Sequence, residues 1–224
     1  MRGCAKLKMI CVYEKSPRLR HVGHLDLLRA MQRALRRSDL PISFSKGFNP
    51  HLLLSFAAPL SVGVPGKREV MEVPLESEVT EEEFLKKMSA VLPPELPCIE
   101  VHAVDDRHPA PMALLRSAYY EITPLQNAEA LFAAVPALLN RGTIMTMKKS
   151  KSGEKEVDIR PMIYNLYEKD GTLHAVLALC EASTCKPDLL LAELCKQAGL
   201  DNVPRCSIVR TALYGDNFQP LETL

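Results

Sequence analysis

Apolar residues recur with a helical period in some stretches of the first half of the chain and alternate as in strands in others. Leu25, Leu28, Met31 and Leu35 lie three and four residues apart, the spacing of one face of an amphipathic helix. Thr80 and Glu83 have the spacing of a capping box, which opens a helix. The predicted elements are strand 7–14, helix 24–38, strands 41–44, 52–60 and 69–75, helix 81–92 and strand 98–104.

A similar alternation returns after a proline-containing linker. Asn127 is predicted to cap a helix that Pro136 kinks or divides, because proline lacks the N–H of the helical ladder. Pro187 opens a second helix at a favourable first-turn position, and Gly199 closes it. The predicted elements are strand 118–123, helix 127–139, strands 143–148, 156–163 and 173–181, helix 187–198 and strand 207–214.

The repeated order of elements defines the expected fold class. Two successive βαββαβ units predict an α+β protein of two tandem ferredoxin-like domains, each an antiparallel sheet with two helices on one face. The predicted bounds are an N-terminal domain at 1–106, a linker at 107–116 and a C-terminal domain at 117–224. A single mixed α+β domain is the alternative, because a chain of 224 residues accommodates either.

The composition narrows the class of protein. A hydrophobic content of 47% and a charged content of 25% are ordinary for a globular chain, and the lack of Trp predicts an aliphatic core. No apolar run reaches the length of a membrane span, and the first residues lack the apolar core of a signal peptide, so we expect a cytoplasmic protein without a membrane partner. Seven cysteines without a Cys-x-x-Cys pair predict reduced thiols and no structural zinc.

The net charge of +1 hides an uneven distribution. Residues 1–50 carry eleven Lys or Arg and three acidic residues, whereas the other 174 carry 17 basic and 24 acidic residues. Arg29, Arg33 and Arg36 stand about one turn apart along the predicted first helix, which is the footprint that phosphate recognition requires. Alternatively, the arginines keep this helix solvated or pair with the acidic second helix.

The stretch 44–51, Phe-Ser-Lys-Gly-Phe-Asn-Pro-His, is a polar turn between two apolar runs. Gly47 can adopt a positive φ and Asn-Pro favours a turn, so the sequence of the loop predicts its shape. A lysine, an amide and a titratable ring indicate a ligand-facing loop, and Phe44 or Phe48 supplies a ring for base stacking. The alternative is a solvated connection between strands. The candidate nucleic-acid-binding residues are Arg18, Arg20, Arg29, Arg33, Arg36, Lys46, Asn49 and His51.

A catalytic hypothesis uses three other side chains. His24, Asp26 and His51 would meet if the start of the helix and the loop share one end of the domain, and a histidine could then deprotonate a ribose 2′-hydroxyl without a metal. Alternatively, His24 caps the helix and His51 holds the loop. The sequence contains no P-loop, Gly-x-Gly-x-x-Gly, Gly-x-Ser-x-Gly or His-Glu-x-x-His motif, and we predict neither a metal nor a cofactor.

Several segments of the chain resemble the radical-SAM-linked family of bacterial domains, which occur alone or fused to the C-terminus of a radical-SAM protein. The segments that carry the resemblance are 20–30, 35–38, 44–51, 55–63 and 157–163. One departure is Leu52, where the family usually has proline after the histidine, so the exit of the loop is less restrained.

The resemblance implies a radical-SAM protein as partner. The chain lacks the Cys-x3-Cys-x2-Cys trio of a radical-SAM cluster, so the partner would supply that chemistry. We therefore expect an RNA- or ribonucleoprotein-binding accessory module without catalytic activity of its own. The alternatives are metal-independent RNA cleavage, as in the architecturally similar CRISPR repeat-processing endoribonucleases, and pure protein docking. The chain lacks a late glycine-rich loop like that of those enzymes. Asp158 and Arg160 are interpreted as an ion pair that rigidifies a strand bend.

Overall fold

A computed structural model describes residues 7–150 and 153–224, so Cys4, one of the seven cysteines, lies outside the described residues. The described part is a mixed α+β structure with antiparallel strand pairing and five helices. It divides into two compact units. The first contains the residues through Leu115 together with Ala212–Leu224, and the second is Arg116–Thr211.

The first unit alternates strands and helices. Its elements are β1 (Leu7–Lys15), α1 (His24–Arg37), β2 (Ser55–Phe56), β3 (Gly66–Pro74), α2 (Glu81–Val91), β4 (Cys98–Asp105) and the short α3 (Pro111–Leu114). The strands lie in the order β4-β1-β3-β2, and every pair is antiparallel. The predicted alternation of this half is thereby confirmed for its long elements.

The core of the first unit lies between the sheet and one face of each helix. Met31 and Leu35 of α1 are buried at the predicted helical spacing, and Phe84 and Met88 of α2 are fully buried. Removing apolar surface of this kind from water stabilises the fold by roughly 25 cal/mol per Å². The opposite face of α1 is therefore left to solvent, and this face carries its arginines.

The second unit has more strands than its pattern predicts. Its elements are β5 (Ser117–Pro124), α4 (Ala128–Leu139), β6 (Met145–Ser150), β7 (Gly153–Asp158), β8 (Ile163–Lys169), β9 (Thr172–Ala178), α5 (Pro187–Gln197) and β10 (Cys206–Tyr214), whose last residues belong to the first unit. The strands lie in the order β10-β5-β9-β8, and β6 and β7 form a separate two-stranded ribbon.

Two predicted strands are largely wrong. The run 52–60 contains only the two-residue β2, and 41–44 contributes isolated bridges that pair Ile42 with Leu75 and Phe44 with Leu52. Ala57 and Ala58 are nonetheless buried, because irregular chain can bury apolar side chains without joining a ladder. Apolar composition therefore predicted the burial but not the strand pairing.

The predicted strand 156–163 is two strands separated by a turn. β7 ends at Asp158, a 3-10 helix covers Arg160–Met162, and β8 begins at Ile163. Pro161 lies inside this turn, where its missing N–H costs no ladder hydrogen bond. β8 was not predicted as a separate strand, since its exposed positions outnumber its buried ones.

Smaller corrections concern helix ends. Asn127 begins α4 as predicted, but it has a left-handed backbone with φ 55° and its side chain makes no capping hydrogen bond. Pro136 lies inside α4 without dividing it. The short helix α3 occupies part of the predicted linker, with Pro111 at its favourable first position. In the described part of the chain, no helix is both long enough and apolar enough to cross a membrane.

Candidate nucleic-acid interface

The outer face of α1 carries a row of exposed arginines. Arg29 forms an i,i+3 ion pair with Asp26, with 3.3 Å between Nη1 and Oδ1, and both side chains are about two-thirds exposed. Arg33 and Arg36 are exposed and make no side-chain hydrogen bond or ion pair with a described residue. An exposed pair such as Arg29–Asp26 contributes at most about 1 kcal/mol, so it does not commit Arg29 to a structural role.

A buried lysine, Lys15, restrains the loop before α1 through hydrogen bonds to its backbone. The side chain of Lys15 is 1% exposed, and its Nζ donates to the carbonyl oxygens of Val22 at 2.8 Å and Arg20 at 3.4 Å. Gly63 donates its N–H to the same Arg20 oxygen at 2.7 Å. The backbone before α1 is thereby restrained. Sequence reasoning missed Lys15, and its place at the end of an apolar strand was the available signal.

The two arginines of this loop differ in their partners. Arg18 lies 3.3 Å from Glu95, with its side chain largely exposed, and Arg20 donates to the Pro17 carbonyl oxygen at 3.1 Å. Both contacts are at the surface, where such bonds contribute little to stability. Both guanidinium groups therefore stay accessible to a ligand.

The loop 44–51 is closed by three hydrogen bonds between its ends. Ser45 N donates to His51 O at 2.8 Å, His51 N donates to Ser45 Oγ at 3.0 Å, and Ser45 Oγ lies 2.7 Å from His51 Nδ1. Gly47 has φ 132°, so its predicted positive φ is confirmed. Phe48 is fully exposed at the tip. The loop thus has a defined closure and an aromatic ring presented to solvent.

The other polar residues of this loop have few contacts within the protein. Lys46 and Asn49 are exposed, and neither makes a side-chain hydrogen bond or ion pair with a described residue.

The structure also explains how the loop tolerates either leucine or proline at position 52. The hydrogen bonds that flank the Phe44–Leu52 bridge use the N–H groups of Ser45 and Leu53, so a proline at position 52 would remove no hydrogen bond from this closure.

The three residues of the catalytic hypothesis each have a different partner. The His24 ring packs edge-on against Phe56 with 5.4 Å between ring centroids, Asp26 pairs with Arg29, and His51 bonds Ser45. Among the described residues, no hydrogen bond, ion pair or ring contact joins His24 to His51. This conformation therefore contains no assembled acid–base pair from these residues.

Asp158 and Arg160 of the second unit hold a turn, but not as the predicted ion pair. Asp158 Oδ1 accepts backbone N–H bonds from Ile144 at 2.7 Å and from Arg160 at 3.0 Å, and these bonds hold the pKa of the carboxyl group below its usual value. The Arg160 guanidinium donates instead to the carbonyl oxygens of Leu139 and Ile163. Both side chains therefore bind backbone groups, and the charge of Arg160 adds a smaller lowering of the Asp158 pKa.

The described part of the chain contains six cysteines and no group of side chains that could hold a metal ion. The six described cysteines are free, and burial raises the pKa of Cys185 to about 12, so its thiol is unreactive near neutral pH. Within residues 7–150 and 153–224, no three His, Cys, Asp or Glu side chains are grouped closely enough to hold a metal ion.

Sequence reasoning missed a second group of neighbouring side chains, two tyrosines and a histidine. In the second unit, His174 of β9 stacks against Tyr167 of β8 and Tyr119 of β5, with ring centroids 5.0 Å and 5.9 Å away. Tyr119 Oη lies 2.6 Å from His174 Nδ1. The available signal was that Tyr119 and His174 stand at outward positions of alternating strands, whereas the strand that carries Tyr167 was not predicted.

Comparison with known proteins assigns the family. Residues 8–187 match the profile of a family described as uncharacterized proteins conserved in bacteria (DUF2344), and the chain belongs to this family. No curated protein matches the chain. The matched range covers both the arginine row of α1 and the loop 44–51.

Proposed function

We propose that the first unit binds RNA through the outer face of α1 and the loop 44–51. The observation that carries this proposal is a set of exposed cations that make no side-chain hydrogen bond or ion pair with any described residue, namely Arg33 and Arg36 on α1 and Lys46 on the loop. Lysine and arginine side chains that neutralise phosphates supply most of the affinity in RNA binding. Phe48 adds an exposed ring that can stack on an unpaired base.

The same proposal makes the chain an accessory module without its own catalysis that works with a radical-SAM protein. The resemblance of the sequence to the radical-SAM-linked family supports this partner, and the family description names none. We also infer that the two units are tandem ferredoxin-like domains. Their strand orders, β4-β1-β3-β2 and β10-β5-β9-β8, support this reading because each places the first and third strands of its sheet at the centre, when the separate β6–β7 ribbon is left out of the count.

The test is RNA binding by the full chain over a series of salt concentrations. Labelled total tRNA and ribosomal RNA fragments would be titrated with wild type and with the double variant Arg33→Gln/Arg36→Gln. If both arginines contact phosphates of single-stranded RNA, the slope of log affinity against log salt becomes less negative by about 1.4. A matched control removes two exposed arginines elsewhere, in Arg107→Gln/Arg141→Gln, and we expect its slope to stay near wild type.

The integrity of the RNA decides between the proposal and its alternatives. Intact RNA after incubation supports a binding module. Cleavage of the RNA by wild type, but not by His24→Ala or His51→Ala, contradicts the proposal and favours the metal-independent endoribonuclease. No binding at any salt concentration leaves the protein-docking alternative. Equal slopes for the two double variants would show that the α1 arginines are not the binding residues.

A further inference from the structure

Three aromatic rings form a connected cluster on the second unit. Tyr167 and His174 are nearly parallel, with an interplanar angle of 15° and centroids 5.0 Å apart. Tyr119 lies on the other strand beside β9, with its hydroxyl 2.6 Å from His174 Nδ1 and 3.5 Å from the Tyr167 hydroxyl. The cluster therefore spans three adjacent strands and holds its rings by contacts with one another.

The pairing register places this cluster on the sheet face opposite the core. Leu173 and Ala175 of β9 are fully buried, so His174 between them points to the other face. His174 is paired with Tyr167 on β8 and with Glu121 on β5. Tyr167 is 40% exposed although one side of its ring stacks on His174. The stack therefore ends in a tyrosine that is open to a further flat group.

Two polar neighbours on β8 suit a nucleotide. Asn165 and Lys169 are both exposed and lie two residues either side of Tyr167, on the same face. Lys169 makes no side-chain hydrogen bond or ion pair with a described residue, so it can neutralise a phosphate. The acidic neighbour Glu121 has interactions of its own within the protein.

We propose that this face is a second RNA-contacting site, at which an unpaired base stacks on Tyr167 while Lys169 contacts the adjacent phosphate. The inference rests on the proposed RNA-binding function and names its substrate class as single-stranded RNA. Aromatic rings on the sheet of a small α+β domain bind unpaired bases because every base has a π face, and duplex stacking hides that face. The contacts among Tyr119, His174 and Tyr167 restrain the rings before binding, which lowers the entropy cost.

The experiment uses the full chain and a fluorescein-labelled oligouridylate that carries one 2-aminopurine base. Tyr167→Leu should raise the Kd roughly five- to a hundredfold and abolish the quenching of 2-aminopurine on binding. Tyr167→Phe keeps the ring, so its Kd should stay within about twofold of wild type with quenching intact. Tyr164→Leu is the matched control, because Tyr164 is a similarly exposed tyrosine of β8 outside the cluster. Far-ultraviolet circular dichroism checks that each variant is folded.

The outcomes separate this inference from the proposed function. Loss of quenching in Tyr167→Leu, with wild-type behaviour of the other two variants, supports the stacking site. Equal binding and quenching by wild type and Tyr167→Leu overturns it, and the Arg33→Gln/Arg36→Gln result then decides the α1 surface independently. Equal losses of affinity in Tyr164→Leu and Tyr167→Leu also overturn it. So does tighter binding of the same oligonucleotide after it has been annealed to its complement than of the single strand. No binding by wild type overturns both.

Discussion

The segment that follows β10 is attached to the first unit by a buried carboxylate. Glu222 Oε1 accepts from Arg68 Nε at 2.9 Å and from Arg68 Nη2 at 2.6 Å, and Arg68 Nη2 also contacts Glu100. The Glu222 side chain is 5% exposed, whereas that of Arg68 is 37% exposed. Leu221 beside it is buried in the same unit. We predict that Arg68 is the main residue holding this segment in place.

The expected loss of stability depends on which of the two charged groups, Arg68 or Glu222, remains without its partner. Breaking a fully buried ion pair costs about 3–5 kcal/mol, but Arg68 is partly solvated, and the segment can detach rather than keep an unpaired carboxylate buried. We therefore expect Arg68→Gln to cost about 1.5–3 kcal/mol, the range for a hydrogen bond to a charged group. Glu222→Gln leaves no buried charge and should cost about 1 kcal/mol.

The assay combines urea unfolding with hydrogen exchange of the C-terminal peptides. The double variant measures the coupling between the two side chains, which we expect to be about 1–2 kcal/mol. Lys87→Gln is a matched control, since Lys87 pairs with Glu83 at 2.8 Å at the surface and should cost under about 1 kcal/mol.

Additive costs for Arg68→Gln and Glu222→Gln, to within about 0.5 kcal/mol, would refute this reasoning. So would unchanged hydrogen exchange after Ala212, because loss of the only strong cationic partner of Glu222 among the described residues should loosen that segment first.

Two further predictions concern the same unit. Thr80 Oγ1 accepts a hydrogen bond from Glu83 N at 3.1 Å, so Thr80→Ala should lower the free energy of unfolding by about 1 kcal/mol while Thr80→Ser leaves it nearly unchanged; equal urea midpoints for the two would contradict this. Arg68 and then His102 hold the pKa of Glu100 below its ordinary 4.5, so its ionised form stabilises the fold at higher pH. This contribution is present above about pH 4.5 and is lost as the pH falls through the lowered pKa, so Glu100→Gln should flatten the acid limb of a stability–pH curve and an unaltered limb would rule out this assignment.

Local patterns predicted α1 and α2 well. Met31 and Leu35 lie on the buried face of α1 as predicted, although Leu25 is exposed. One half of the predicted capping box forms, since Glu83 N donates to Thr80 Oγ1, whereas the Glu83 carboxylate pairs with Lys87. Both signals lie within a few residues of one another, so the sequence carries them without tertiary information. The row of arginines on α1 follows from the same periodicity, because the residues between the buried positions must face outward.

Strand pairing was harder to predict from the sequence than the helices were. The apolar run 52–60 is as consistent with buried irregular chain as with a strand, and only the position of β3 decides which residues find ladder partners. The strand β8 was missed for the opposite reason, because most of its positions are exposed and only two are buried. Pairing depends on neighbours that are distant in the chain, so composition alone does not determine it.

The candidate sites divide in the same way. The cations of α1 and the closed loop around Gly47 are readable from local sequence. The aromatic cluster of Tyr119, Tyr167 and His174 is not, because three strands must first align in one register. Residue types alone do not show which outward positions will become neighbours.

The sequence by itself determined the order of the long helices and strands of the first unit, the outward row of arginines on α1 and the concentration of positive charge in the first 50 residues. Those features depend on spacing and residue type within a few turns. Tertiary structure alone decided that Lys15 supports the loop before α1, that Glu222 meets Arg68 from 154 residues away, and that the two catalytic candidate histidines have separate partners. Lys15 and Glu222 are buried, and a buried charged group needs a partner that only the folded chain supplies. His51 is exposed, and the closure of the loop 44–51 places Ser45 beside it.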